Sequence, residues 1–525
     1  MGVPRIAGAS PPAAAAAAAA ASAPPDALAA AGPPPPPPDQ AAVDLSADHG
    51  AGPPAVKLGG SLVRSGSSVF DIRSPRRKYG LLLLMAFANM MLPLCDTIYL
   101  PSLVAIEKDL NTTSTATAAS VAIYLFTVGA ASLVWGPAAD KWGRKLVLWT
   151  SSAMFLGFSF GCAFAPNITV LIVFRALQGM AVAAYGVGAS AVLADTFPPQ
   201  ERGKAMGILS IPLLVGPIMG PLIGGGLSYT LGWRSTFFAM VVLGGVIFLL
   251  LLFFMEETNH SHVLRRVRSN GGKLESFSFK EEVHQPAFTA PHRPLMLLLD
   301  PVVLPTVAAM VICFGVMFSS LIVLPLRLAG PPYRLNEAQI GAANVAGGAG
   351  SFFAAPIGGM LADWAARRWP SHPTGRTLVG APVALIAIPG SCLMYAWALH
   401  THAHLAVVLT ATTILGASLA FIMPATFALV SIVKQRNAAA ASGAINSLMF
   451  LLSGLFVLVT PTGMATMGLG PYVSLLSSIA FAALLIANVS TVVAVRRTAA
   501  EAAAAGPDAE AGGGGGGGGE KGAAA

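Results

Sequence analysis

Between residues 79 and 495 the chain is a succession of apolar blocks, each about twenty residues long or a little more, divided by short polar stretches. Such a block is the length an α-helix needs to cross a hydrocarbon layer of ~30 Å, where every backbone N–H and C=O must be bonded within the segment. Charged residues make up 10% of the chain and hydrophobic residues 55%, against roughly a quarter charged in soluble domains. So few charges cannot cover a water-solvated surface, but they suffice for a chain solvated by lipid. The expected class is an all-α membrane protein.

Twelve spans are expected, at about 79–106, 116–137, 146–165, 169–193, 205–229 and 235–255, then 301–328, 338–364, 378–399, 405–433, 440–467 and 471–495. They group as a six-helix bundle over 73–255, a polar connector over 256–300, and a second six-helix bundle over 301–495. Residues 1–72 hold an alanine run at 13–21 and six prolines at 33–38, and 496–525 hold a glycine run at 512–519. Segments of that composition have little to bury and are expected to be disordered. The alanine run lacks the basic flank and strongly apolar core of a signal peptide.

The net charge of +8 does not point to nucleic acid, because Lys and Arg stand in small groups beside the spans rather than on one domain. Of 31 such residues, only Lys108, Arg234, Arg327 and Arg334 fall outside when the N-terminus is cytoplasmic, with Arg175 inside a span. The flanking groups Arg76-Arg77-Lys78, Lys141 with Arg144-Lys145, Arg265-Arg266 with Arg268, Arg367-Arg368 and Arg496-Arg497 then all lie in the cytoplasm, as do both termini. The sequon at Asn111-Thr112-Thr113 falls outside. Cys95, Cys162, Cys313 and Cys392 allow two disulfides by count, but their places within apolar blocks favour buried free thiols. His400-Thr-His402-Ala-His404 lacks nearby Cys, Asp or Glu, so no metal site is assigned, and no phosphate-binding loop of the Walker type is present. No cofactor is expected, and no enzymatic activity.

The halves repeat. Gly136-x-x-x-Asp140-x-x-x-Arg144-Lys145 follows span 2, and Gly359-x-x-x-Asp363-x-x-x-Arg367-Arg368 follows span 8, at corresponding cytoplasmic turns. Related halves with a site between them at mid-bilayer are the plan of a rocking transporter.

The stretch from Gly136 through Asp140 and Gly143 to Arg144-Lys145 resembles the signature loop of the major facilitator superfamily. Span 4, with Arg175-Ala-Leu-Gln178-Gly179, looks like the motif of its proton-coupled members. Span 5, with Gly216-Pro-Ile-Met-Gly220-Pro221-Leu-Ile-Gly224-Gly225, is similar to that of its antiporter branch. With Tyr99-Leu100-Pro101 in span 1, these resemble the twelve-span drug:proton antiporters of fungi and other eukaryotes, from about Lys78 to Val495. The resemblance implies the major facilitator fold, two pseudo-symmetric six-helix bundles. It also implies that the signature loop latches the two halves on the cytoplasmic side. The second copy departs from the signature, with Ala366 where the first has Gly143.

Charges inside spans are functional candidates by default. Arg175 lies eight positions from Asn167 and Asp96 ten from Ile106, depths of ~12 and ~15 Å at ~1.5 Å per residue, so both sit near mid-bilayer. Asp96 is the candidate proton carrier, with Arg175 adjusting its affinity; a purely structural ion pair is the alternative. Burial and a neighbouring guanidinium push a carboxylate in opposite directions, which alternating access can exploit. The resemblance would place an acidic residue one position later, at Thr97. Tyr99, Gln178, Tyr185 and Phe314 are candidates for the wall of a mostly apolar substrate cavity, with Phe318 four residues beyond Phe314; helix packing is the alternative for both phenylalanines. In span 5, Gly216, Gly220 and Gly224 share one helix face and form a groove for a partner helix, while Pro217 and Pro221 weaken the ladder enough to bend.

The expected function is proton-coupled export of drugs or amphipathic organic compounds by a monomer working with protons and a small organic substrate in the lipid bilayer. A nutrient or metabolite importer is the first alternative, although the sugar-porter signature after span 6 is replaced by Glu256-Glu257-Thr258. A non-transporting receptor or scaffold on the same fold is the second. The plasma membrane is the expected location, with the vacuolar membrane as the other.

Overall fold

The computed structural model describes residues 56–58, 61–63, 73–198, 201–260, 262–263, 293–368, 380–433 and 438–504. Twelve helices are long and apolar enough to span a membrane: Pro75–Asp109, Ser114–Trp142, Arg144–Ala163, Ile168–Thr196, Lys204–Leu231 and Arg234–Phe254 (spans 1–6), then Leu304–Leu328, Glu337–Ala365, Ala381–His400, Leu405–Val430, Ala440–Met467 and Leu469–Arg497 (spans 7–12). Each coincides with one expected from the sequence.

Local chemistry starts and stops them. Thr113 and Asn167 accept hydrogen bonds from the N–H groups of Ala116 (3.3 Å) and Val170 (2.9 Å), and Asn336 and Gln339 bond reciprocally ahead of span 8 (2.9 and 3.1 Å). Such side chains satisfy the first-turn N–H groups that a helix leaves unpaired. Gly143, at φ +95°, turns the chain between spans 2 and 3. Gly232 and Gly468 do so between spans 5 and 6 and between spans 11 and 12, both at φ +81°. The last two occupy equivalent places in the two halves.

The repeat is plain in the packing. Span 1 lies on 5, 2 on 4, and 3 on both 4 and 6; six places on, 7 lies on 11, 8 on 10, and 9 on both 10 and 12. Between the halves, span 2 meets span 11 and span 5 meets span 8. One apolar core fills the first half and also takes Phe318, Ile322, Phe450 and Val457 from the second, whose own core lies around Ile388, Tyr395 and Val473. All four cysteines are free and buried.

Three expectations need adjustment. Within 1–72, Val56–Leu58 and Ser61–Val63 pair as an antiparallel ribbon, with the β-branched Val56 opposite Val63. The helix of span 12 continues to Ala504 rather than ending near 495, through an alanine-rich stretch of high helix propensity. The connector is structured at both ends: Glu256–Asn259 pack on the first half, and a short helix Arg293–Met296 runs into a 3-10 turn Leu297–Leu299. The remainder of both tails and the connector's basic group Arg265, Arg266 and Arg268 lie outside the described residues.

Candidate functional site

Asp96 and Arg175 come together in the first half, at 3% and 0% exposure. Arg175 Nη1 donates to Gln178 Oε1 (2.7 Å), and Gln178 Nε2 donates to Ser159 Oγ (2.8 Å) and to Met240 Sδ (3.4 Å). Gln178 is thus the hinge that ties the guanidinium to spans 3 and 6. The guanidinium carbon stands 4.3 Å from the ring centre of Tyr99 and 3.9 Å from that of Tyr124. Tyr99 hydrogen-bonds Ser120 Oγ (3.4 Å), and Tyr124 donates to the Leu92 carbonyl (3.4 Å) with the Asp96 carboxyl as its other neighbour.

The direct ion pair, the alternative to a proton-carrying role, is not formed among the described residues. Among the described residues no carboxylate oxygen lies within the 4.0 Å ion-pair limit of Arg175, and Asp96 Oδ1, Arg175 Nε and Arg175 Nη2 have no hydrogen-bond partner. The physical reason is Tyr124, whose ring lies against the guanidinium and whose hydroxyl stands next to the carboxyl. Thr97, one position on from Asp96, points elsewhere: its hydroxyl bonds the Pro93 carbonyl (2.8 Å), and it packs against Gly220.

The candidate cavity residues divide. Tyr99, Gln178 and Tyr185 are each 0% exposed inside the first bundle, so in this conformation they form its core and not an open wall; the Tyr185 ring packs on Phe155 at 6.1 Å. Phe314 does sit where the halves meet. It packs against the cores of both, with ring centres 5.0 Å from Phe318 and 5.9 Å from Phe450.

The signature loop is a charge network. Arg144 bridges Asp140 (2.5 Å) and Asp195 (3.0 Å). Glu257 accepts the first N–H groups of span 3, from Arg144 (3.0 Å) and Lys145 (3.2 Å), placing a carboxylate at a helix N-terminus. Gly143 is required here twice over, since a side chain at φ +95° is strained and a Cβ would run into the Glu257 carboxylate. Asn259 donates to the Asp140 carbonyl (2.9 Å), while Glu256 pairs with Arg73 (3.4 Å) and Arg77 (3.2 Å). Among the described residues, the partners of Asp140, Arg144 and Lys145 all belong to the first half or to the residues just after span 6. Among the described residues, then, no contact of this loop reaches the second half; residues 434–437, just ahead of the helix of span 11, lie outside them. In the second copy Asp363 and Arg367 are exposed, Gly359 has open space around it, and the helix of span 8 runs on to Arg368 without a turn after Asp363.

The span 5 groove is present, and its partner is span 1: Gly216 faces Pro93, Gly220 faces Thr97, and Gly224 faces the Ile98 carbonyl. A second groove was hidden in the same motif. Gly225 and Pro221 lie against Glu337 and Gly341 of span 8, joining the halves by backbone contact. Gly129 against Ser447 and Gly454 against Ala122 do the same between spans 2 and 11. These seams run from the middle of the spans toward the end opposite the signature loop.

Tyr124, Ser159, Asp195, Glu257 and Phe450 escaped the sequence reading. Tyr124 carried the same signal as Tyr99, a polar-tipped ring inside an apolar block. Nothing in the spacing told Asp195 or Glu257 from ordinary charges at span ends.

Comparison with known proteins settles the family. The sequence profile of the Major Facilitator Superfamily matches residues 85–458. The chain belongs to the major facilitator superfamily. Members of the superfamily are transporters, not enzymes, and this one is a multi-pass transporter. Over 190 residues it is 37% identical to the MFS antiporter QDR3 of Candida albicans, a match covering 36% of this chain and only 26% of that protein. It is 30% identical to the MFS-type transporter MFS19 of Alternaria alternata, covering 71% and 78% of the two chains. The efflux pump radE of Floropilus chiversii is 26% identical, covering 78% of each. Among solved structures, the partially occluded inward-open xylose transporter XylE of E. coli matches at a TM-score of 0.59 with 12% identity, over 78% of this chain and 97% of that one. An inward-facing bacterial homologue of the human lysosomal transporter Spinster matches at 0.58 with 16% identity, over 81% and 98%. At such identities these two speak for the major facilitator fold alone.

Proposed function

We propose that this transporter expels small amphipathic organic compounds in exchange for protons, working as a monomer with both termini in the cytoplasm. The observation that carries the reading is the buried pair Asp96 and Arg175, held near the middle of the spans with hydrogen-bonding capacity unfilled on both. A buried charged pair that is incompletely satisfied is a poor way to stabilise a bundle and a suitable way to bind and release a proton. The relatives named antiporter and efflux pump support the direction, and the apolar, aromatic junction at Phe314, Phe318 and Phe450 supports a hydrophobic cargo.

The inter-half seams close the end that lies outside in this topology. The signature-loop network, whose contacts among the described residues stay with the first half and the residues just after span 6, is then read as the state that precedes latching. The plasma membrane remains the proposed location. Dye exchange in inverted vesicles tests the coupling: wild-type protein should move a cationic dye against an outward proton flux, and Asp96→Asn should lose that dependence while still equilibrating dye. An Asp96→Asn variant that exchanges dye for protons at the wild-type rate would remove Asp96 from the mechanism.

A further inference from the structure

The Arg175 guanidinium is fully buried, yet no carboxylate among the described residues holds it. Its in-plane contact is one hydrogen bond to Gln178, and Nε and Nη2 go unpartnered. Two tyrosine rings present their faces to it, Tyr99 from span 1 at 4.3 Å and Tyr124 from span 2 at 3.9 Å. A ring face attracts a cation through its quadrupole, strongly so when water is excluded. Unlike a carboxylate, it does so without taking up or releasing a proton itself near neutral pH.

We propose that Tyr99 and Tyr124 are positioning residues of proton coupling, clamping Arg175 against their ring faces so that Asp96 exchanges its proton without breaking an ion pair. The clamp rests on the proton-coupled reading above and adds to it the device that keeps the guanidinium in place whichever state Asp96 is in. Were Arg175 held by Asp96, every protonation would strand a buried guanidinium, a costly event. With the rings in place, the guanidinium acts on Asp96 through its field alone. The titratable groups that face this centre are Cys95, Asp96 and Tyr99 from span 1, Tyr124 from span 2 and Cys162 from span 3; spans 4 and 6 contribute Gln178 and Met240, which do not titrate.

The test replaces Tyr124 in the full-length purified chain by Phe and by its 4-fluoro, 3,5-difluoro and 3,4,5-trifluoro analogues, which drain the ring quadrupole at nearly constant shape. The Asp96 carboxyl C=O stretch, identified by its loss in Asp96→Asn, is followed by infrared difference spectroscopy between pH 4 and 9, so no substrate is needed. Tyr124→Phe, which keeps the ring, sets the reference for the series. As fluorination rises, Arg175 should leave the ring for the carboxylate, and the pH midpoint of the band should fall by about one unit or more across the series, the size of an added opposite charge. A midpoint that stays constant along the fluorinated series, or a band that does not titrate at all, overturns the clamp. Dye exchange driven by a pH gradient, run on wild-type protein, reads the functional proposal separately: a sloping infrared series with no proton-driven exchange would leave the ring contacts holding Arg175 but refute the export reading and, with it, their part in coupling.

Discussion

Adding one methyl group at Gly225 should push the structure out of its present conformation. A Cβ at this position would stand 3.0 Å from Gly341 Cα and 3.2 Å from the Glu337 carbonyl carbon, with the carbonyl oxygen nearer still. All three are main-chain atoms of span 8, and none can swing aside as a flexible side chain would. Spans 5 and 8 must separate by a few tenths of an ångström or more, and over-packing of this kind costs typically ~1–3 kcal/mol. The cost falls on the state in which this seam is closed and is relieved where it opens. At ~1.4 kcal/mol per factor of ten, Gly225→Ala should shift the balance between the two by about 5- to 150-fold. The readout is the distance between spin labels at Tyr229→Cys and Arg334→Cys, two exposed positions at that end, one in each half. The native cysteines, at 0–1% exposure, should not compete for label. Gly225→Ala should add a longer-distance population. A folded variant with an unchanged distance distribution would refute the idea that this seam is closed in one state and open in another.

Other substitutions probe the remaining parts. Glu257→Ala removes the acceptor for two N–H groups at the start of span 3 and should cost about 0.5–2 kcal/mol, seen as a lower melting temperature in detergent. Arg144→Ala leaves Asp195, whose side chain is only 16% exposed, with the hydrogen bond from Thr258 but without its ion pair, and should cost up to about 3 kcal/mol by the same measurement. Arg175→Lys keeps the charge but loses the guanidinium that meets the Tyr99 and Tyr124 rings and bonds Gln178, so gradient-driven transport should fall at least about tenfold, since such arginine sites do not accept lysine. A membrane-impermeant maleimide should leave all four native thiols unmodified in folded protein and reach them after denaturation.

The fold was legible because bilayer length and backbone satisfaction act on every block alike: twelve apolar runs can hardly be anything but twelve helices. Glycine spacing in span 5 revealed the groove for span 1, since positions four apart share a face. It did not reveal that Gly225, one position on from Gly224, faces the other half. Adjacent helix positions point ~100° apart, and a sequence does not say which neighbour stands on each side. Depth counting brought Asp96 and Arg175 to one level of the membrane, which is all that a rise per residue can do. Whether they touch depends on the rotation of spans 1, 2 and 4 about their axes, and that rotation places Tyr124 at the guanidinium. The signature loop was recognised as a charged cluster, but its partner Glu257 is more than a hundred residues away. Only the folded bundle brings that carboxylate to the start of span 3.

The most direct test is counterflow of a cationic dye into liposomes holding the purified protein, with and without an imposed pH gradient. A carrier whose cavity faces one compartment and then the other should exchange labelled for unlabelled dye with no gradient, and should concentrate dye on the acidic side when protons are supplied there. Dye movement that never exceeds equilibration, whichever way the gradient points, would contradict proton-coupled alternating access.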